Sequence, residues 1–200
     1  MQLRLILIRH GVTAGNLERR YVGQADDQPL TEHGRQELLT RRQQNGYPAA
    51  DALYVSPMRR CLETAQLVYP MLVPVTIPAL AELNFGTFEG KTYEQLKDDP
   101  AYRRWVDTAG KSAPPGGESG EEFARRLRDG LRQIAADARR SGSRTVAVVT
   151  HGGCIMTMLS QLNDAPKDID DFYSYLTPNG GGFLAELDTD TLALHAVSPL

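Results

Sequence analysis

Leu3-Arg4-Leu5-Ile6-Leu7-Ile8-Arg9-His10-Gly11 opens the chain with an apolar run that stops abruptly at an arginine, a histidine and a glycine. A short apolar run of this kind predicts a buried strand. A second run, over 145–149, ends in the same manner, in Thr150-His151-Gly152-Gly153. The chain holds only four histidines, so half of them follow strand ends. In an open α/β sheet, ligands bind in the crevice beyond the carboxyl ends of parallel strands. The pattern therefore predicts His10 and His151 at one rim, despite their distance in sequence. The dipeptide alone is weak evidence, because His33-Gly34 occurs in the polar stretch Thr31-Glu32-His33-Gly34-Arg35 with no strand before it. His33 reads as an exposed helical residue.

Around these two runs, strands and helices alternate, which predicts an α/β fold: a three-layer sandwich with a mostly parallel central sheet and helices on both faces. Thr31 caps a helix that runs to about Gln44, and Gly46 stops it. A short strand over 52–55 is followed by Ser56-Pro57, read as cap and first turn of a helix to about Tyr69. The next strand falls over 73–77. Ser119 and Glu122 form a capping box for a long amphipathic helix carrying Phe123, Leu127, Leu131, Ile134 and Ala138 at helical spacing. Gly152-Gly153 lets a helix begin close to His151 and run to about Leu162. Strands over 183–187 and 192–197 flank Asp188-Thr189-Asp190-Thr191 as a hairpin, expected to be an antiparallel sheet edge. Between Gly90 and Ser119, Tyr93, Tyr102 and Trp105 mix with charges before a Pro- and Gly-rich stretch. This reads as a lid-like excursion, about 90–119, within a single domain over 1–200. Tyr21, Phe85, Phe88 and these three aromatics either line a mouth or pack the excursion itself.

Two hundred residues suffice for a full core, and a net charge of −3 argues against a nucleic-acid or anionic-membrane surface. An anionic substrate must then be met by a local arginine cluster. Cys61 and Cys154 offer neither a disulfide framework nor metal-ligand spacing, and read as small buried hydrophobes of a cytoplasmic protein. The opening run is too short for a secretory leader. Monomer and dimer both remain open.

A phosphomonoester asks three things of an enzyme: cationic donors for its non-bridging oxygens, an in-line nucleophile, and a proton for the leaving oxygen. Arg9 and His10 leave the first strand together, bringing a guanidinium fork and an imidazole to one point. Arg60 sits early in the helix after the strand over 52–55, where free backbone N–H groups suit an anion. Glu82 follows the strand over 73–77 by a short loop and is a candidate proton donor, with Glu63 and Glu89 as nearby alternatives.

These residues fall in four segments that resemble, in order, the motifs of the histidine phosphatase superfamily, whose branch also holds cofactor-dependent phosphoglycerate mutases. Arg9-His10-Gly11-Val12-Thr13-Ala14-Gly15-Asn16 resembles its opening motif, and Ser56-Pro57-Met58-Arg59-Arg60-Cys61-Leu62-Glu63-Thr64-Ala65 its second, with Arg60 in the phosphate-binding place. The segment Glu82 to Gly90 resembles the acid segment, and His151-Gly152-Gly153 the second histidine motif. Val12 departs from the usual Glu, and Cys61 from the usual Ala.

The resemblance implies a phosphoglycerate mutase-like fold and a phosphohistidine at His10. Arg9, Arg60 and His151 would hold the phosphoryl group, Asn16 would add an amide contact, and Glu82 would be the proton donor. It implies no metal and no cofactor. The short excursion, with Tyr102-Arg103-Arg104-Trp105 and the Pro-Gly stretch, resembles the branch of α-ribazole 5′-phosphate phosphatases and broad-specificity small-molecule phosphatases, which places a substrate in cobalamin nucleotide-loop assembly or among small phosphorylated metabolites generally. Two alternatives stand beside it. One is a mutase, since Arg103-Arg104 resembles a paired-arginine feature that meets a substrate carboxylate. The other is a catalytically silent phospholigand-binding regulator, which would be expected to have lost one of the rim residues.

Overall fold

A computed structural model of the chain describes residues 1–162 and 171–200. In chain order it contains β1 (Gln2–Arg9), α1 (Ala14–Leu17), α2 (Glu32–Gln43), β2 (Ala52–Val55), α3 (Arg59–Val68), β3 (Pro74–Thr76), α4 (Tyr93–Leu96), α5 (Pro100–Asp107), α6 (Gly120–Ser141), β4 (Thr145–Thr150), α7 (Gly152–Leu162), α8 (Asp171–Ser174), β5 (Gly182–Asp188) and β6 (Leu194–Pro199). The strands form one sheet in the order β3-β2-β4-β1-β5-β6. The first four strands run parallel, β5 is antiparallel to β1, and β6 is antiparallel to β5.

Strand side chains alternate between faces, and the alternation here divides the core. Leu3, Leu5, Leu7, Val146 and Val148 pack with Phe123, Leu127, Leu131 and Ile134 of α6 and with Ile155 and Met158 of α7. Ile6, Ile8, Leu53, Val55, Ala147 and Val149 pack on the opposite face with Leu38 of α2 and with Cys61, Ala65 and Val68 of α3. One cysteine lies under each face, and burial pushes the Cys61 thiol up to about 12, which leaves it protonated and inert near neutral pH.

The capping signals act as the sequence predicts for two helices. Thr31 Oγ1 accepts from Gly34 N at 3.0 Å. Ser119 and Glu122 exchange side-chain and backbone bonds as a capping box, and Gly142 ends α6 in the left-handed region at φ +75°. A third signal fails: α3 begins at Arg59 behind Met58, which makes no side-chain cap bond. Ser56 does not cap it: its hydroxyl lies 2.8 Å from His151 Nε2 and accepts only from Met58 N, at 3.4 Å, ahead of the helix. β3 is shorter than predicted, and its exposed Val75, with the exposed Val73 just before it, is that of a sheet edge. The hairpin forms the other edge, with β6 starting at Leu194 because Leu192 stays in the turn at φ +63°.

In the excursion, Phe88, Leu96 and Tyr102 form a small buried cluster joined by Tyr21, Phe85 and Trp105. The Tyr21 and Tyr102 hydroxyls lie 2.6 Å apart, and the rings meet edge to face. These aromatics thus pack on one another, while Tyr93 remains exposed. His33 is exposed on α2 and pairs with Glu37 at 3.3 Å. No described helix is long and apolar enough to cross a membrane.

The topology fixes the rim. β4 returns between β1 and β2, with Arg9 opposite Thr150 and Val55 opposite Val149. The next residues along, His10, His151 and Ser56, therefore emerge side by side.

Candidate active site

His10 is buried, and its Nδ1 lies 2.7 Å from the Gly11 carbonyl oxygen. A carbonyl only accepts, so Nδ1 carries the proton and Nε2 keeps its lone pair. Burial, the Arg60 charge and, more weakly, the Arg9 charge hold His10 well below its ordinary 6.5, against the opposing pull of the Gly11 bond. The imidazole is thus neutral near pH 7, with an unprotonated nitrogen.

His151 stands beside it, ring centroids 5.2 Å apart at 66°. Both of its nitrogens are occupied. Arg60 Nε donates to Nδ1 at 3.3 Å, which leaves the proton on Nε2, facing Ser56 Oγ. Burial first, then the charge of Arg60, depresses its pKa well below 6.5. The two histidines differ in what surrounds them, and only His10 has a ring nitrogen outside this network.

Arg60 is fully buried on the first turn of α3, and its two terminal nitrogens donate to Asp26 O at 3.0 Å and Gly23 O at 2.9 Å. The guanidinium thus ties the loop over 23–27 to the rim. Arg9 uses Nη1 on Thr177 O at 2.7 Å. Its Nε is buried with no hydrogen-bond partner among the described residues. A buried orphan donor is costly, and an anion at the rim would relieve it. Gly152 allows this approach, since a Cβ there would lie 3.3 Å from Arg9 Nε.

Glu82 is buried and accepts from Leu83 N at 3.0 Å and Gly153 N at 3.1 Å. A Cβ on Gly153 would come within 2.5 Å of Glu82 Oε1, so the carboxyl's position depends on that glycine. Burial raises its pKa, outweighing the two N–H donors and the charges of Arg60 and Arg9. The other two carboxylate candidates are engaged elsewhere. Glu63 pairs with Arg35 and Arg59 and accepts from Leu30 N. Glu89 accepts from four backbone N–H groups, of Gln24, Ala25, Asp26 and Phe85.

Asn16 closes the capping box of α1, its Oδ1 accepting from Thr13 N at 3.1 Å. The same oxygen accepts from Asn179 Nδ2 at 3.1 Å, and that amide also donates to His10 O at 3.0 Å. Asn179 escaped the sequence reading, as did Thr177. Gly180 N donates to Arg9 O, so the segment over 177–181 lies along the end of β1 and fixes it. The Asn179-Gly180-Gly181-Gly182 run was the available signal. Asp188 and Asp190 are engaged in their own turn, the first accepting from Asp190 N and Thr191 N, the second pairing with the N-terminal amine and Arg139.

The structure gathers Arg9, His10, Arg60, Glu82 and His151 at one rim and links Asn16 to it through Asn179. A neutral nucleophilic nitrogen, two guanidinium groups and a carboxyl biased toward its acid form suit transfer of a dianionic group.

The comparisons agree with this geometry. A family model described as "Histidine phosphatase superfamily (branch 1)" matches residues 5–196. The chain is 30% identical over 168 residues to the adenosylcobalamin/alpha-ribazole phosphatase of Salmonella typhimurium, covering 82% of this chain and 81% of that one. It is 33% identical over 175 residues to a bifunctional protein of Mycobacterium tuberculosis, covering 83% of this chain, and spans about half, 46%, of that relative. A putative alpha-ribazole-5′-P phosphatase from Escherichia coli shares the fold at a TM-score of 0.81 and 24% identity, over 99% of this chain and 94% of that one.

Proposed function

The chain belongs to the histidine phosphatase superfamily (branch 1), and from that premise we propose that it is a metal-independent phosphomonoesterase for a small phosphorylated metabolite, acting through a phosphohistidine at His10. The observation that carries this reading is the Nδ1 bond of His10 to Gly11 O, which aims an unprotonated Nε2 beside two guanidinium groups. In the first step Nε2 attacks phosphorus, the P–O bond breaks, and Glu82 gives its proton to the leaving oxygen. In the second, Glu82 as carboxylate takes a proton from water, which attacks the phosphoryl group, and the P–N bond breaks. Arg9 and Arg60 supply donors to the non-bridging oxygens, and Asn16 a further amide contact.

His151 can reach a phosphoryl oxygen only through a ring N–H. Ser56, whose hydroxyl donates or accepts, bears on that, because the Nδ1–H tautomer requires Ser56 to donate to Nε2 while Arg60 Nε releases Nδ1. Ser56→Ala removes this freedom and takes the hydroxyl partner from Nε2, leaving it only the weaker Cys61 Sγ contact at 3.5 Å. The expected result is a fall in kcat/KM of roughly tenfold with a small fall in melting temperature, since a buried partner is lost. An unchanged kcat/KM would remove Ser56 from the account.

The pH profile follows from the two shifts. His10 must be neutral to attack, and its pKa lies below 6.5, so kcat/KM should rise from the acid side through a value below 6.5. Glu82 must be protonated, and its pKa is raised above 4.5, so kcat/KM should fall as pH climbs through that raised value. Comparison with Glu82→Gln isolates the second limb from the substrate's own ionisation, because the variant should lack it.

Of the paired arginines on which the mutase alternative rests, Arg103 is exposed and engaged within its own excursion, donating to Lys97 O at 2.8 Å and to Asp98 at 2.7 Å. The silent-regulator alternative meets all the rim residues in place. As substrate we favour α-ribazole 5′-phosphate, on the strength of the Salmonella relative's name. The test is kcat/KM on α-ribazole 5′-phosphate, 3-phosphoglycerate, phosphoserine and p-nitrophenyl phosphate in one chelator-containing buffer. A preference of two orders of magnitude, about 2.7 kcal/mol, would support the assignment, and flat rates would leave a broad-specificity phosphatase.

A further inference from the structure

We propose that Arg126, with Glu118, is a positioning residue that sets the proton-donor carboxyl in place; this rests on the reading of Glu82 as that donor. A guanidinium has five N–H donors, and Arg126 spends three on the segment over 79–82 and two on Glu118. Nη1 donates to Ala79 O at 2.8 Å and Ala81 O at 2.9 Å. Nη2 donates to Glu82 O at 3.2 Å and Glu118 Oε1 at 2.5 Å, and Nε donates to Glu118 Oε2 at 3.2 Å. The residue thus grips three carbonyls of the segment that ends in the acid, from the second turn of the 22-residue helix α6.

Glu118 extends the grip past the acid. Its Oε1 accepts from Asn84 N at 2.9 Å and from Gln24 Nε2 at 3.1 Å, and Gln24 Nε2 also donates to Glu82 O at 2.8 Å. Glu82 is therefore held at its own carbonyl by two donors, and on either side at Ala81 and Asn84. The pair is largely buried, with side chains 24% and 17% exposed, and the guanidinium sits 5.1 Å above the Phe123 ring. A bidentate, partly buried arginine pair fixes direction as well as distance, which a lysine cannot reproduce. The backbone from Ala79 to Glu82 has no regular secondary structure beyond the 3₁₀ turn Pro78–Leu80, so direction has to come from side chains.

If this brace serves only the fold, its loss should weaken all substrates alike. If it aims Glu82, the loss should track the leaving group's need for a proton. The test is kcat/KM for Arg126→Met, Arg126→Lys, Glu118→Gln and Glu82→Gln on phosphoserine and on p-nitrophenyl phosphate. Arg126→Met is expected to lose about tenfold or more on phosphoserine and under threefold on p-nitrophenyl phosphate, with Arg126→Lys between it and the parent. Glu118→Gln keeps the side-chain shape and should show the same substrate dependence should Arg126→Met fail to fold. Equal losses on both substrates in these variants, or no loss on either, would overturn the proposal while Glu82→Gln still discriminates between the substrates. Should Glu82→Gln itself fail to discriminate, the reading of Glu82 falls first and the proposal with it.

Discussion

His10→Ala is expected to abolish turnover and the acid-labile phosphoenzyme together. The substitution removes the one rim imidazole whose Nε2 lies outside the site's hydrogen-bond network, since His151 has Nδ1 on Arg60 and Nε2 on Ser56. No described group stands ready to replace it: both cysteines are buried with pKa values pushed up, and Ser56 faces His151. The fall in kcat should be at least about 10⁴-fold, roughly 5 kcal/mol. Little of this should reflect unfolding. His10 contributes a single local bond to Gly11, and the backbone around it is held by Thr150, Gly180 and Asn179. A variant that keeps its melting temperature and its turnover would eliminate His10 as nucleophile.

Glu82→Gln should be the second-largest effect, and its size should depend on the substrate. General acid catalysis contributes about 10²–10⁴-fold where the leaving oxygen needs a proton. The loss on phosphoserine, whose leaving group is an alkoxide, should fall in that range. On p-nitrophenyl phosphate, which departs as a stable phenolate, the loss should stay under about tenfold. Glutamine keeps the side-chain shape and one acceptor oxygen, but Leu83 N and Gly153 N donate to different carboxylate oxygens, so one of the two bonds is lost and a modest fall in melting temperature is expected beside the kinetic effect. Glu89→Gln provides the contrast. Its carboxylate holds the loop over 24–26, so any loss there should be equal on both substrates. Equal losses on both substrates for Glu82→Gln would make Glu82 a structural residue.

The rim was legible because strand ends are local signals. An apolar run followed by Arg9-His10-Gly11, and another followed by His151-Gly152-Gly153, announce both the strand and the residue beyond its end. The parallel order of β1 to β4 then does the rest. What sequence could not resolve depends on partners far away in the chain. Glu63, Glu82 and Glu89 are indistinguishable by spacing, and only their donors separate them: two arginines for Glu63, four loop amides for Glu89, and a helix-start amide for Glu82. Ser56 looked like a helix cap because Ser-Pro usually is one, but a hydroxyl beside a buried imidazole has a stronger claim on it. Nothing local in the sequence singles out Arg126 or Glu118. Their burial arises from the segment over 79–84, which no periodicity reveals. Asn179 is a single residue in an irregular stretch, and its amide gains meaning only from the carbonyl of His10.

The most direct test of the account is to trap the phosphoryl group. Enzyme mixed rapidly with labelled substrate, denatured in alkali and digested should carry label on the peptide containing His10, stable in alkali and lost in mild acid, with burst size approaching one per chain when the second step limits turnover. Label on another peptide, or an alkali-labile ester in place of a phosphoramidate, would contradict the assignment of His10 as the nucleophile.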